Sequence, residues 1–219
     1  MAKIFFPSCK NKAAYPAASG KLREYLLANY AVETVAGCCR NEHKKLSPDD
    51  AAIVLCNTCF AFCEESSSVG KIVSVWEIVD SDFNFSFPNY NGEKITVQDC
   101  WRAIGRDKIH NAVRSLLKKM NMEPVELNEN RHKSLFCGMA TYMPQPAQNA
   151  LLAPKRYGTD APGMFKEHSE EARISFMQEH AKQFTTGRAV SYCLACDTGI
   201  KTGGKKSASL LNLLFGEAE

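Results

Sequence analysis

The feature that most constrains this chain is the arrangement of its cysteines, which recur in a similar order in each half. A single cysteine, a Cys-Cys doublet and a Cys-x-x-Cys motif make up the first set, namely Cys9, Cys38, Cys39, Cys56 and Cys59. A single cysteine, a Cys-Gly pair and a second Cys-x-x-Cys motif make up the second set, namely Cys100, Cys137, Cys193 and Cys196. This repeated order predicts two thiolate-rich sites.

The setting of these cysteines argues against disulfides. The chain has ten cysteines, but its amino-terminal residues do not resemble an export signal, and no apolar run is long enough to cross a membrane. We therefore expect a cytoplasmic protein with no direct membrane insertion, where clustered thiols bind metals or do redox chemistry. The tenth cysteine, Cys63, fits neither set and is expected to be a small buried apolar residue. A net charge of +3 gives no support for nucleic-acid binding.

In the first half, each group of cysteines follows a predicted strand. Apolar and β-branched runs predict strands over 3–8, 31–36, 51–55 and 71–80, and helical spacing predicts a helix over 17–30 and another from 56 to about 65. The carboxyl ends of parallel strands meet at one edge of an open sheet. Helix amino-termini point to the same edge and favour thiolates. We therefore expect the cysteines to converge there.

The second half repeats this layout. Strands are predicted over 95–99, 124–127 and 188–192, and helices over 101–120, 166–184, 207–215 and after Cys193. Residues 139–165 lack periodicity and are interpreted either as a lid or as packing. The chain is therefore predicted to be an α/β protein of two similar Rossmann-like or flavodoxin-like halves with parallel sheets. The predicted domains are residues 1–90 and 91–219.

The number of thiols in each set constrains the metal. Two charges about 4 Å apart repel by roughly 4 kcal/mol at an effective dielectric constant near 20, so clustered thiols without a cation stay protonated or oxidise. Structural zinc takes four ligands, so the five thiols of the first set favour an iron–sulfur cluster. The four of the second set suit zinc or a four-cysteine cluster. Metal-free dithiol chemistry at either Cys-x-x-Cys motif is a further alternative.

These motifs resemble a known pattern, the cysteine-rich CCG domain found in heterodisulfide reductases of the B type and in related iron–sulfur oxidoreductases. The similar stretches in the first half are Phe5-Phe6-Pro7-Ser8-Cys9, Gly37-Cys38-Cys39 and Leu55-Cys56-Asn57-Thr58-Cys59-Phe60. Those in the second half are Gln98-Asp99-Cys100, Phe136-Cys137-Gly138 and Cys193-Leu194-Ala195-Cys196.

The resemblance implies a pair of domains that bind noncubane [4Fe–4S] clusters. It makes Cys9, Cys38, Cys39, Cys56 and Cys59 the cluster ligands and the catalytic residues of a disulfide reductase. It also implies an electron-donating redox protein as partner and a small disulfide or thiol as substrate. The second motif has Phe136 where the family has the first cysteine of the doublet, so a cubane cluster, zinc and an empty site stay open for the second set.

Other residues carry weaker signals. The five histidines form no ligand-spaced pair in the sequence and are interpreted as surface or helix-face residues. Asp99 and Asp197 flank cysteines, where they could tune a cluster, relay protons or cap a helix. The alternative function is a non-catalytic component, stabilised by zinc or a cluster, that assembles a larger redox complex.

Overall fold

The computed structural model describes residues 2–161 and 163–217. It divides into two compact units, of which the first contains Met1–Ser81 and Pro146–Pro162 and the second contains Asp82–Gln145 and Gly163–Glu219. The first unit therefore includes a segment from the second half of the sequence, and the chain leaves this unit at residue 81 rather than at the predicted residue 90.

Each unit contains a sheet of four parallel strands. The strands of the first unit are β1 (Lys3–Phe6), β2 (Glu33–Thr34), β3 (Ala51–Val54) and β4 (Lys71–Ser74). Those of the second are β5 (Glu93–Gln98), β6 (Met122–Glu126), β7 (Ala189–Ser191) and β8 (Ser207–Ser209). The order is β2-β1-β3-β4 in the first sheet and β6-β5-β7-β8 in the second. The two orders are equivalent, so the predicted α/β fold of two similar halves with parallel sheets is confirmed.

Ten α-helices connect the strands or follow them in the described residues. The first five are α1 (Cys9–Ala14), α2 (Pro16–Tyr30), α3 (Cys39–Glu42), α4 (Asn57–Ser66) and α5 (Val75–Ser81). The others are α6 (Asp107–Lys119), α7 (Ala147–Leu152), α8 (Glu170–Ala181), α9 (Leu194–Thr202) and α10 (Leu210–Leu214). No helix in the described part of the chain has the length and apolar character needed to span a membrane.

The central strands form the core of each unit because their side chains are apolar and covered on both faces. All four residues of β3 are buried, as are Phe5 and Phe6 of the neighbouring β1. In the second unit Ile95 and Val97 of β5 are fully buried. These strands end at the edge where the cysteines begin.

Three predicted elements are wrong in their extent. The strand predicted over 71–80 ends at Ser74, where a helix begins, and the helix predicted over 101–120 is interrupted at Gly105, which has a φ of 80°. The helix predicted over 207–215 begins with the short strand β8. Residues 139–165, for which no element was predicted, contain α7 and two short helical turns, Gly138–Tyr142 and Lys155–Thr159.

Candidate metal centres

The cysteines of both sets come after strands of their sheets, although a 3-10 turn separates Cys137 from β6. Cys9 is the first residue of α1, Cys38 precedes α3, and Cys56 precedes α4. In the second unit Cys100 precedes a short 3-10 turn and Cys193 precedes α9. Backbone N–H groups at such positions can stabilise a thiolate, but burial outweighs this effect at Cys9 and Cys100, whose pKa values are raised. All ten cysteines are free thiols.

The first thiol site comprises Cys9, Cys38, Cys39, Cys56 and Cys59, which are close enough to affect one another's ionisation. Burial and the neighbouring sulfurs Cys38 and Cys39 raise the pKa of Cys9. A hydrogen bond with Cys59 lowers the pKa of Cys39, and the same bond raises the pKa of Cys59. The structure therefore places the five thiols near one another, but among the described residues they do not form a group with all sulfurs within 4.8 Å, as the second set does.

This first thiol site is open. Cys9 is exposed, and Cys38, Cys39 and Cys56 are partly exposed, whereas Cys59 is buried. A cavity of about 240 Å³ lies beside it, lined by four of the five cysteines and by Lys12. A small molecule can therefore reach the sulfurs from solvent.

Arg40 provides positive charge at the doublet. Its Nη1 atom lies 4.0 Å from the Cys38 sulfur, and its Nη2 atom donates a 2.7 Å hydrogen bond to Asn149 Oδ1. The guanidinium group also lies over the Phe62 ring, 5.6 Å from its centroid. Since Asn149 belongs to α7, the segment predicted as lid or packing helps to fix a cation beside the first thiol site. No sequence pattern indicates this pairing, because the two residues are far apart in the chain.

The part of the first unit that comes from the second half of the sequence, which contains α7 and the turn Lys155–Thr159, makes further contacts within this unit. The hydroxyl groups of Tyr157 and Thr58 are 2.8 Å apart, and Ser66 donates to the carbonyl of Leu152 at 2.6 Å. Thr58 and Ser66 lie in α4, the helix that carries Cys59. The segment thus packs along the helix that provides part of the site.

The second thiol site comprises Cys100, Cys137, Cys193 and Cys196, whose sulfurs all lie within 4.8 Å of one another. The sulfurs of Cys100 and Cys137 are 3.9 Å apart. A tetrahedral ion with metal–sulfur bonds of about 2.3 Å holds its sulfurs about 3.8 Å apart. A multi-iron cluster holds its thiolates farther apart, because each binds a different iron. The four cysteines could hold a metal, and their spacing fits a single tetrahedral ion.

This second thiol site is closed. Cys100, Cys137 and Cys196 are buried, and only Cys193 is partly exposed. Hydrogen bonds from Cys100, Cys137 and Cys196 lower the pKa of Cys193 well below its usual value, while burial raises the pKa values of Cys100 and Cys196. Within this group the thiolate form is therefore favoured most at Cys193 and disfavoured at Cys100 and Cys196.

Gly138 permits the close approach on which this site depends. It has a φ of 59°, and a Cβ atom there would lie 1.9 Å from the backbone oxygen of Ala195. Any other residue would push Cys137 away from the Cys193-x-x-Cys196 loop. This contact explains the glycine of the Cys-Gly pair.

Phe136 adds a ring, not a sulfur, next to the second thiol site. Its ring stacks on His180 with centroids 4.0 Å apart. His180 Nε2 lies 2.6 Å from Gln98 Oε1, and burial lowers the pKa of His180 to about 4. Phe136 therefore packs against a neutral imidazole, where the resemblance to the CCG domain would place a second doublet cysteine.

A buried ionic network fixes the backbone around Cys100. The N–H group of Cys100 donates to Tyr192 Oη at 3.3 Å, and that hydroxyl donates to Asp99 Oδ1 at 2.9 Å. Arg114 donates to both Asp99 oxygens at 2.7 and 2.6 Å and also to Glu126. Asp99 therefore anchors the cysteine loop; it was predicted as a possible tuning, relay or capping residue. Tyr192 and Arg114 were not singled out from the sequence, which offered no pattern linking them to Cys100.

Comparison of the chain with protein-family models, with curated proteins and with solved structures finds no match in any of the three.

Proposed function

We propose that the protein is an iron–sulfur oxidoreductase of the heterodisulfide reductase B type, with the first thiol site as its catalytic centre. The observation that carries this proposal is the grouping of five interacting thiols at one sheet edge beside an open cavity. Five thiols exceed what one tetrahedral ion takes, and they are spread more widely than the four of the second thiol site. The order of the motifs, similar to the CCG domain, supports the same assignment.

In this proposal a noncubane [4Fe–4S] cluster bound by Cys9, Cys38, Cys39, Cys56 and Cys59 supplies the electron-transfer chemistry. Reductive cleavage of a disulfide needs two electrons and two protons, and it yields two thiols. The electrons come from a redox partner protein. The free thiols throughout the chain are consistent with a reducing compartment such as the cytoplasm.

The residues around the cavity favour a small anionic disulfide or thiol substrate. Lys12 lines the cavity, and Arg40 lies next to Cys38. Both cations stabilise thiolates, including a thiolate leaving group that forms when a disulfide is split. The exposed side of the site, at Cys9, provides the approach for the substrate.

We assign a structural role to the second thiol site, with one zinc ion or one iron ion as its occupant. Structural metal sites are closed and use four protein ligands, whereas catalytic sites keep a position open. The burial of three of its four cysteines and the 3.9 Å separation of two sulfurs support this assignment.

The test compares Cys39→Ala with Cys63→Ala after anaerobic reconstitution with iron and sulfide. Cys63 is a buried cysteine that packs beside the first thiol site but is not one of its five predicted ligands, so its variant controls for the loss of a neighbouring core thiol. We expect the wild type and Cys63→Ala to hold about four irons at the first thiol site and to release thiols from glutathione disulfide with reduced methyl viologen. Cys39→Ala should retain its fold and lose this activity by at least about 100-fold.

Two results would count against this function. Zinc as the metal of both sites, with no absorption in the visible range, would reject the iron–sulfur assignment. A full cluster without thiol release would favour the second candidate, a non-catalytic component that assembles a larger redox complex. The closed, structural geometry of the second thiol site is the observation that favours that candidate.

A further inference from the structure

A third group of potential metal ligands lies in the second unit and contains no cysteine. It comprises Asp107, His110 and His132, whose ligand atoms all lie within 4.8 Å of one another. Asp107 and His110 are on the first turn of α6, and His132 is in the 3-10 turn Arg131–Lys133. The two histidines are far apart in the sequence, so their interpretation as surface or helix-face residues did not reveal that the fold brings them together.

The geometry within the group is compact. His132 Nε2 lies 2.7 Å from Asp107 Oδ1, and the rings of His110 and His132 have centroids 5.5 Å apart. The Asp107 and His132 side chains are 66% and 51% exposed. The group therefore opens to solvent on the side of Asp107 and His132.

An ion pair between Asp107 and His132 at the surface does not explain why the neighbouring His110 is buried without hydrogen bonds. It is fully buried, and neither of its ring nitrogens has a hydrogen-bond partner among the described residues. Buried polar groups are almost always hydrogen-bonded or bound to an ion, because leaving them unpaired costs free energy. Here the imidazole faces the Asp107–His132 pair, so a ligand held by that pair would provide the missing partner.

We propose that Asp107, His110 and His132 bind a divalent transition-metal ion, such as Zn²⁺, Fe²⁺ or Co²⁺. Two imidazoles and one carboxylate form a donor set that these ions prefer, whereas Mg²⁺ and Ca²⁺ prefer oxygen ligands. Three protein ligands leave coordination positions for water or a small molecule on the exposed side.

The cost of forming the site is small. An ion at the centre replaces the Asp107–His132 contact with bonds from both residues to the metal. The other contact of the His132 ring, from the Gly105 N–H group to Nδ1, is 3.4 Å long and weak. The first turn of α6 needs no rearrangement, because Asp107 and His110 are three residues apart and lie on one face.

The site can be distinguished from the two thiol sites because it has no sulfur. The test uses protein loaded with just enough zinc to fill the two thiol sites, which take it first because thiolates bind it more tightly, and titrates that protein with Co²⁺ under anaerobic conditions. We expect one further Co²⁺ to bind per chain, with weak visible bands and no sulfur-to-cobalt charge-transfer band in the near ultraviolet.

The variants for this test are Asp107→Asn and His132→Gln, with the exposed Asp49→Asn as a matched control. Both ligand changes are on exposed side chains, so the variants should fold. Each should weaken Co²⁺ binding by at least about tenfold, and Asp49→Asn should leave it unchanged. Equal binding by all four proteins, or a charge-transfer band for the added ion, would overturn the proposal. So would the absence of a further bound Co²⁺ in the wild type.

Discussion

The two units have the same strand order but present their cysteines differently. The first thiol site is open beside a cavity, and the second is closed with its sulfurs within 4.8 Å. Both Cys-x-x-Cys motifs begin two residues after the third strand of their unit, since β3 ends at Val54 and β7 ends at Ser191. The positions of the Cys-x-x-Cys motifs therefore do not explain why the first thiol site is open and the second is closed.

One additional residue in the loop after the first strand of the first unit contributes to this difference. Phe6 pairs with Val54, and Gln98 pairs with Ser191, so Phe6 and Gln98 occupy equivalent positions. Cys100 follows Gln98 by two residues, but Cys9 follows Phe6 by three. Ser8 thus takes the place equivalent to Cys100, where it is buried and hydrogen-bonded to Asn11, and Cys9 is exposed. Similar sheets can therefore hold an accessible thiol site and a buried one.

The largest effect is expected from removing a ligand of the closed site. Cys196→Ala should abolish metal binding at the second thiol site and destabilise the second unit by several kcal/mol, because binding of a structural metal contributes to folding. Chelation of the metal in the wild type should have the same effect. Thermal unfolding and metal analysis test this, with Cys63→Ala as control. If Cys196→Ala and Cys63→Ala lose equal amounts of thermal stability, the second thiol site has no structural metal.

The next effect concerns the ionic network behind Cys100. Asp99→Ala leaves Arg114 buried with an incomplete set of partners, and the free energy of unfolding should fall by about 3–5 kcal/mol. Glu123→Ala is the control, because its ion pair with Lys94 is exposed and should contribute less than about 1 kcal/mol. Denaturant unfolding measures both. If the two variants lose equal stability, the network does not support the closed site.

Acid should weaken the second unit through His180. Its pKa is about 4 in the folded protein, against about 6.5 when unfolded, so the neutral form is favoured on folding. This contribution is present above about pH 6.5 and is lost towards pH 4, by up to about 1.4 kcal/mol per pH unit. His180→Gln should reduce the slope of stability against pH in this window. An unchanged slope would show that His180 does not titrate with folding.

The smallest effect concerns the rates at which the thiols react. In the metal-free protein Cys9 should be alkylated by iodoacetamide at least about tenfold faster than Cys100 and Cys137, because it is exposed and they are buried. The pKa of Cys9 is raised, but burial raises the pKa of Cys100 well above its usual value, which increases the contrast between these two thiols. Mass spectrometry of timed samples gives the rates. Similar rates at all three cysteines would remove the distinction between open and closed sites.

The sequence allowed the sheet and the cysteine positions to be predicted because β1, β3 and β7 are short buried runs directly followed by cysteines. It did not show where β4 ends, since the apolar run continues beyond Ser74. The structure explains the change to a helix. The Ser74 hydroxyl accepts from the Trp76 N–H group, and Glu77 accepts from the Ser74 N–H group, which together form a capping box.

Contacts between distant residues were beyond prediction from one sequence. Asn149 reaches Arg40, and His132 reaches Asp107, only because the fold brings separate segments together. No periodicity or spacing marks such pairs. The one-residue difference between Cys9 and Cys100 could have been seen only with the strand ends already known.

Metal and sulfide analysis of the anaerobically purified chain tests the difference between the two thiol sites most directly. We expect about four irons and acid-labile sulfide from the first thiol site, together with one ion at the second thiol site that is not associated with sulfide. Protein without acid-labile sulfide, with zinc at both thiol sites, would contradict this assignment.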